Sequence, residues 1–325
     1  MSRKKRYKRK SNVIKVAAAL LVVCVAAIGY FVYQYQAGVR MAESVEHQEY
    51  EFNGEKSLDD KVNVLLLGVD ARSVEGKSRT DSIMVAQYDP KEGTAKIISI
   101  MRDIYTEIPG YKNYKINTAF YLGGPELLRE TLKNNFDLDI EYYTLIDFTG
   151  FEKMVDALAP MGIEIDVEKK MSANIGVSLE PGLHRLNGKE LLGYARFRKD
   201  AEADFGRVRR QQQVISALKD ELLSTNGVVK LPKLIGTAQP YIQTNLQTSE
   251  LLTIIKSVYM DLPEEVETLT IPIQNSYTDV RYEGVGQALD INFEKNKEAI
   301  HSFLEGDSAN QEPGPLSVSQ EKGNG

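Results

Sequence analysis

Apolar residues along this chain fall into three kinds of run, and each kind predicts a different element. From Val16 to Tyr33 the sequence reads VAAALLVVCVAAIGYFVY, eighteen residues without a charge. At about 1.5 Å per residue such a helix reaches roughly 27 Å, close to the thickness of a bilayer's hydrocarbon core. A single transmembrane helix is therefore expected over 16–36, with Tyr30, Phe31, Tyr33 and Tyr35 at its interfacial end. Short apolar runs bounded by turn residues predict strands at 62–70 (VNVLLLGVD), 82–89 (SIMVAQYD), 95–101 (AKIISIM), 140–148 (IEYYTLIDF) and 266–273 (VETLTIPI). Asp89, Pro90 and Gly93 make the segment between the second and third a hairpin turn. Apolar positions three and four apart predict helices at 123–136, where Pro125 stands just inside the start, and at 186–197, 207–223 and 249–260. FEKMVDALAPMGIEIDV (151–167) reads as a helix leading into a strand.

Strands alternating with helices predict an α/β or α+β fold, a central mixed β-sheet flanked by helices, over residues 61–225. Residues 37–60 are polar without sustained periodicity and read as a stalk. Residues 226–304 read as an extension packed on the main domain, and 305–325 as a disordered tail.

Charge changes the picture at the N-terminus. Residues 1–15 hold eight Lys/Arg and no acid, so of the chain's 40 bases 32 remain in the body against 46 acids. The body's net charge of −14 argues against nucleic-acid binding, which needs a basic footprint. The basic tail, 1–15, is assigned to the cytoplasm and everything past the anchor to the exterior, a single-pass type II arrangement in the cell membrane. Seven of the eight bases lie within residues 3–10, where anionic lipid headgroups account for them. One Cys excludes an intrachain disulfide framework and a Cys-based zinc cage, and the three His are too far apart in sequence to form a recognised metal-ligand motif.

Four clusters carry candidate chemistry. GVDARSVEGKSRTDS (68–82) brings Asp70, Arg72, Arg79 and Asp81 into one loop between two strands, a setting in which carboxylates converge on a hard cation such as Mg²⁺ and arginines fork onto phosphate. Arg102-Asp103 ends an apolar strand, and YKINTAFYLGGP (114–125) adds Lys115 and Asn117. The fourth cluster holds five arginines and three glutamines within residues 196–213 of an acidic body. Arg196 and Arg198 share a face if extended, while Arg207, Arg210, Gln211 and Val214 follow one side of a helix. Two accounts fit: pairing with Asp200, Glu202 and Asp204, or a site for a strongly charged anion such as a pyrophosphate.

In order and spacing, GVDAR…SRTDSIMV, SIMRD, KINTAFYLGGP, LNGKELLGYARFR and DFGRVRRQQ resemble the LytR-CpsA-Psr family over residues 62–224. Its members are envelope enzymes that move anionic glycopolymers, such as wall teichoic acid or capsule, from a polyprenyl-pyrophosphate carrier to peptidoglycan. The resemblance implies a Mg²⁺ site at Asp70 and Asp81. It implies pyrophosphate binding by Arg79, Arg102, Lys115, Arg196, Arg198, Arg207 and Gln211, with Arg79, Asp81 and Arg102 as the catalytic centre. It also implies an apolar tunnel for the lipid tail. Asp81 or Asp103 is the candidate acceptor of the hydroxyl proton. A carrier pyrophosphatase and a membrane-bound regulator of envelope genes are the competing functions.

Overall fold

The computed structural model describes residues 29–30, 32–40, 50–57, 61–69, 80–247, 250 and 266–306, with the side chains of 225–229 excepted. In chain order come α1 (32–40), β1 (Val62–Val69), β2 (Thr80–Asp89), β3 (Thr94–Ile100), β4 (Tyr105–Thr106), β5 (Tyr114–Lys115), α2 (Asn117–Phe136), β6 (Tyr142–Asp147) and α3 (Phe148–Leu158). There follow β7 (Ile163–Val167), β8 (Gly182–Leu186), α4 (Gly188–Arg196), α5 (Ala203–Leu223) and α6 (Thr225–Ala238). The last elements are β9 (Ile242–Thr244), β10 (Val266–Ile271), β11 (Tyr277–Tyr282), β12 (Gly286–Ile291) and α7 (Phe293–Glu305).

Six strands form one sheet in the order β10-β3-β2-β1-β6-β9. β1, β2 and β3 run antiparallel to their neighbours in this meander, whereas β6 joins β1 and β10 joins β3 in parallel. The sheet is mixed, as expected. The β2–β3 turn is closed by Asp89, whose backbone carbonyl accepts from Gly93 N at 2.9 Å while its Oδ1 accepts from Lys91 N and Glu92 N.

β1 alternates strictly between half-buried and buried residues. Leu65, Leu67 and Val69 join Ile83, Val85, Ile98, Tyr143 and Leu145 in a core shared with Leu128, Leu132 and Phe136 of α2 and Ile300 of α7. A second core, built on Val155, Ile165, Leu191, Tyr194 and Val214, ties α3, α4 and α5 to the β7–β8 hairpin. These helices stand over the other face of the sheet.

The helix expected over 186–197 is present as α4. Asn187 and Glu190 form a reciprocal capping box that starts α4, each side chain accepting the other's backbone N–H at 3.0 Å. α2 differs: it begins at Asn117, breaks at Gly123–Gly124 and resumes at Pro125. Gly124 has φ +66, and a Cβ there would lie 2.7 Å from the Tyr50 ring, so glycine suits the break on both counts.

The expected boundaries need correction in three places. Within the supposed stalk, residues 37–40 end α1, and 50–57 are fastened to the domain. Tyr50 and Phe52 pack against the core ring of Tyr143, and Glu55 N donates to Ile140 O at 2.9 Å. The segment after 225 is more than an appended layer, since β9 and β10 are the two edges of the central sheet. Three residues are too few for β9 to announce itself, and the parallel pairing of β10 with β3 leaves no local sequence trace. Glu305 and Gly306 close α7 and so do not belong to a loose tail. Most of the expected anchor (16–28 and 31), the tail beyond 306 and the helix expected over 249–260, apart from Glu250, lie outside the described residues. Among the described residues no helix is long and apolar enough to cross a membrane.

Candidate active site

Most side chains of β1, β2 and β6 that point away from the first core stand apart from the helices above them. They line a cavity of about 330 Å³, within the range typical of ligand pockets. Leu66, Met84 and Ile146 form its floor, and Phe151, Val214 and Leu218 its roof. At one end the lining changes character. Asp81, Arg196, Arg198, Lys199, Arg207 and Gln211 stand there together.

Four chain segments supply this polar mouth. Asp81 is the second residue of β2 and accepts from the Arg102 guanidinium. Arg102, just past β3, also reaches Asp103 Oδ2 at 3.3 Å and Asp204 Oδ2 at 3.5 Å through its Nε. Asp204, in the first turn of α5, pairs in addition with Arg207 at 3.3 Å and with Arg198 at 3.6 Å. Lys115 Nζ lies 2.7 Å from Asp103 Oδ1. Ser82 Oγ donates to Gln211 Oε1 at 3.4 Å, which holds the glutamine against the sheet. Arg196 lays its guanidinium over the Phe148 ring, 4.2 Å from the centroid.

Of the residues proposed from the sequence, ion pairs join Asp81, Arg102, Arg198 and Arg207, and the cavity mouth adds Arg196 and Gln211. Lys115 is linked to them through Asp103 and does not line the cavity. Asp70 and Arg79 lie outside the described residues. Arg210 follows the pairing account: it is fully buried beside the α4–α5 connection, bound by Glu168 and Asp200 at 2.9 Å each and by Phe197 O at 2.7 Å. Arg209 pairs with Glu168 and Glu202. The arginine-rich stretch thus divides. Arg209 and Arg210 serve the fold through pairing, and Arg196, Arg198 and Arg207 edge the cavity.

Sequence reasoning missed Asp204 as a member of the site and weighed it only as one possible pairing partner. Its signal was the helical spacing to Arg207, three residues on. Burial and the neighbouring Asp103 carboxylate raise the Asp204 carboxyl above its usual range, against the pull of Arg207 and Arg102. Asp103 suffers the same burial, but its hydrogen bonds with Asp204 and Lys115 and the charge of Arg102 bring it below its ordinary value. Burial lowers the Arg207 guanidinium, which is 4 % exposed. Burial opposes charge at Arg102 as well, yet Asp103, Asp204 and Asp81 outweigh it and hold that proton more firmly.

Arg207 Nε, Thr80 Oγ1, Asn117 Oδ1 and Thr118 Oγ1 are buried and lack a hydrogen-bond partner among the described residues. An unmet buried donor or acceptor costs about 1–3 kcal/mol. A donor left open on a mouth arginine fits an anionic oxygen arriving from outside. For a hard cation the fit is partial: Asp81 offers one carboxylate at the mouth, and no group of three or more His, Cys, Asp or Glu among the described residues is arranged to hold a metal. One or two carboxylates suffice for Mg²⁺ when phosphate and water complete the shell.

The LytR_cpsA_psr family model matches residues 28–298. The chain belongs to that family. The regulatory protein MsrR of Staphylococcus aureus is 52 % identical over 280 residues, spanning 86 % of this chain and 85 % of MsrR. The polyisoprenyl-teichoic acid–peptidoglycan teichoic acid transferase TagU of Halalkalibacterium halodurans is 31 % identical over 275 residues, or 81 % and 88 % of the two chains. Among solved structures, the LytR-CPS2A-psr family protein YwtF (TagT) of Bacillus subtilis, with bound octaprenyl pyrophosphate lipid, aligns with a TM-score of 0.57 and 26 % identity. That alignment covers 82 % of this chain and 95 % of that one. The first curated relatives therefore carry two different functional names within one family.

Proposed function

We propose that this member of the family is a membrane-anchored phosphotransferase that moves an anionic glycopolymer from a polyprenyl-pyrophosphate carrier to peptidoglycan outside the cell. One observation carries the reading: an apolar cavity ends at a mouth of Arg196, Arg198, Arg207 and Gln211, with a buried Arg207 donor unmet. That is the shape of a greasy tail joined to a doubly charged head. The names of TagU and the lipid bound to TagT agree with it.

In this reading the prenyl tail lies between the sheet and α3–α5, and its pyrophosphate sits among Arg79, Arg102, Arg196, Arg198, Arg207 and Gln211. Asp70 and Asp81 would hold Mg²⁺, which neutralises phosphate charge when bound. A peptidoglycan hydroxyl attacks the phosphorus nearer the sugar, a new P–O bond forms, the bond to the bridging oxygen breaks, and polyprenyl phosphate leaves. The hydroxyl proton passes to a carboxylate, for which Asp81 and Asp103 are the candidates. Arg102 and Arg207 stabilise charge on the transferring group, so that positioning and electrostatics supply most of the catalysis.

The full-length chain in detergent, given lipid-linked glycopolymer, Mg²⁺ and peptidoglycan oligomers, should join polymer covalently to the oligomers. Release of polyprenyl phosphate without attachment would reassign the site to hydrolysis. The name of MsrR, a regulatory protein, favours a second reading, a regulatory role, which for this chain we take as control of envelope genes. It would prevail if no polyprenyl pyrophosphate were bound or consumed while loss of the chain still altered envelope gene expression.

A further inference from the structure

The Arg102 side of the mouth continues away from the cavity into a surface that the donor does not use. β4 and β5 are antiparallel, with Tyr105 directly across from Lys115, so the two side chains project from the same face. Lys115 is the residue whose ammonium binds Asp103, next to Arg102. The Tyr105 ring stacks on Tyr282, with centroids 3.9 Å apart and planes inclined by 16°. Tyr282 ends β11 at the tip of the β11–β12 hairpin, and the Tyr114 hydroxyl donates to Gly284 O in that tip at 3.0 Å. Leu289 N of β12 donates to Asp103 O at 2.9 Å, which locks the hairpin to the strand end carrying Arg102. Past the stack, in the loop from β4 to β5, Tyr111 is 51 % exposed. Lys112 and Asn113 follow it, exposed, in the same loop, and Glu283 is exposed beside Gly284 in the hairpin tip.

We propose that this run of tyrosines, from Tyr105 and Tyr282 out to Tyr111, is the docking surface for the acceptor, an extended neutral glycan strand of amino sugars. The proposal rests on the phosphotransfer reading and names where its second substrate binds. Position is the first argument. Arg102 touches Asp81 at the mouth but neither Arg102 nor Lys115 lines the cavity, so this side stays open when a prenyl tail fills the inside. An attacking hydroxyl must approach the phosphorus roughly opposite the leaving oxygen, and the leaving group is tied to that tail.

Chemistry is the second argument. A pyranose ring presents a C–H face that lies flat on an aromatic ring, and a rim of hydroxyl and amide groups that bonds to polar side chains. The charged groups here are mixed in sign, Lys112 and Lys115 against Glu283 and Asp290, which shares the Tyr282 face of the hairpin. An anionic polymer would call for a surplus of bases, as the cavity mouth has.

The test compares acceptor and donor on one protein. Full-length Tyr282→Ala, assayed for transfer with β-1,4-linked N-acetylglucosamine-based peptidoglycan oligomers, should show an acceptor KM raised about tenfold. Its affinity for octaprenyl pyrophosphate should stay within twofold of the parent. Tyr282→Phe keeps the ring and should restore the parental acceptor KM. Tyr111→Ala removes an exposed side chain, guards against a folding defect at the stack, and should raise the acceptor KM about threefold. An unchanged acceptor KM in both alanine variants, with donor binding intact, overturns the docking surface and leaves phosphotransfer standing. A parent protein that binds no octaprenyl pyrophosphate overturns the reading underneath.

Discussion

The two faces of the central sheet receive helices in opposite ways. Against one face α2 and α7 are packed shut: Leu65, Leu67, Leu128, Leu132 and Phe136 are at most 1 % exposed. Against the other, α3, α4 and α5 gather around a core of their own with the β7–β8 hairpin and leave the sheet uncovered beneath them. The alternation along β1 makes both outcomes from one strand, because residues two apart share a face. A closed face yields stability. An open face lined by Leu66, Met84 and Ile146 forgoes dispersion contacts that a filled core would have, and a protein that keeps such a void gains from what fills it.

The largest effect expected from this contrast is in stability. Phe136→Ala on the closed face should cost about 3–5 kcal/mol by denaturant unfolding. Ile146→Ala on the open face should cost less than about 1 kcal/mol, since its side chain already borders empty space. Enlargement should reverse the ranking of harm. Ile146 lies across from Gly68 in the β1–β6 ladder, so Ile146→Trp has room to turn inward and should abolish octaprenyl-pyrophosphate binding with little change in Tm. Equal costs for the two alanine variants would mean that both faces are packed alike.

How far this contrast could be read from the sequence depends on the range of the interaction. Strand periodicity, the Asp89–Gly93 turn and the helix over 186–197 are local, and each was legible. The filled and hollow faces were not: Leu65 and Leu66 are the same residue type, and only the partner above each decides whether it is core or cavity wall. The same limit governed the charges. Arg207 and Arg210 sit three apart on α5 and look alike in the sequence, yet one stands at the cavity mouth and the other is sealed between Glu168 and Asp200. Asp204 went unrecognised because its partners Arg102 and Arg198 come from other segments. The likeness of five motifs to a family supplied what spacing alone could not.

A middle-sized effect concerns the carboxylates at the mouth of the open face. Asp204 is raised above the ordinary 3.8 by burial. Its proton therefore contributes stability that is full below about pH 4 and is lost as pH rises through the folded-state value. Asp103 is lowered, its burial offset by Asp204, Lys115 and Arg102; its contribution is present above about pH 4 and is lost as pH falls through the folded-state value. The Tm advantage of the parent over Asp204→Asn should then shrink as pH rises from 4 to 7, by on the order of 2 °C. Its advantage over Asp103→Asn should grow in acid, as pH rises from the folded-state value toward about 4, and hold level above that. Parallel slopes for the two variants would remove the distinction between the carboxylates.

The smallest effect tests where the apolar wall ends and the polar mouth begins. Arg196 belongs to both: its guanidinium stacks on Phe148, whose ring lines the cavity, and it stands among the mouth's cations. Lysine at 196 keeps the charge and gives up the planar stacking and the fork. A cation over an aromatic ring that solvent still reaches is worth about 0.5–1 kcal/mol, and Arg196 is itself only half-buried, so Arg196→Lys should weaken octaprenyl pyrophosphate about three- to fivefold and leave Tm unchanged. Inorganic pyrophosphate, which has no tail, should weaken by the same factor, because the loss falls on the head. Phe148→Leu should instead weaken the prenylated ligand more than the inorganic one, because it alters the wall first and the arginine's seat only second. Were Arg196→Lys to spare inorganic pyrophosphate while weakening the lipid, Arg196 would count as part of the wall, and the mouth would rest on Arg102, Arg198 and Arg207 alone.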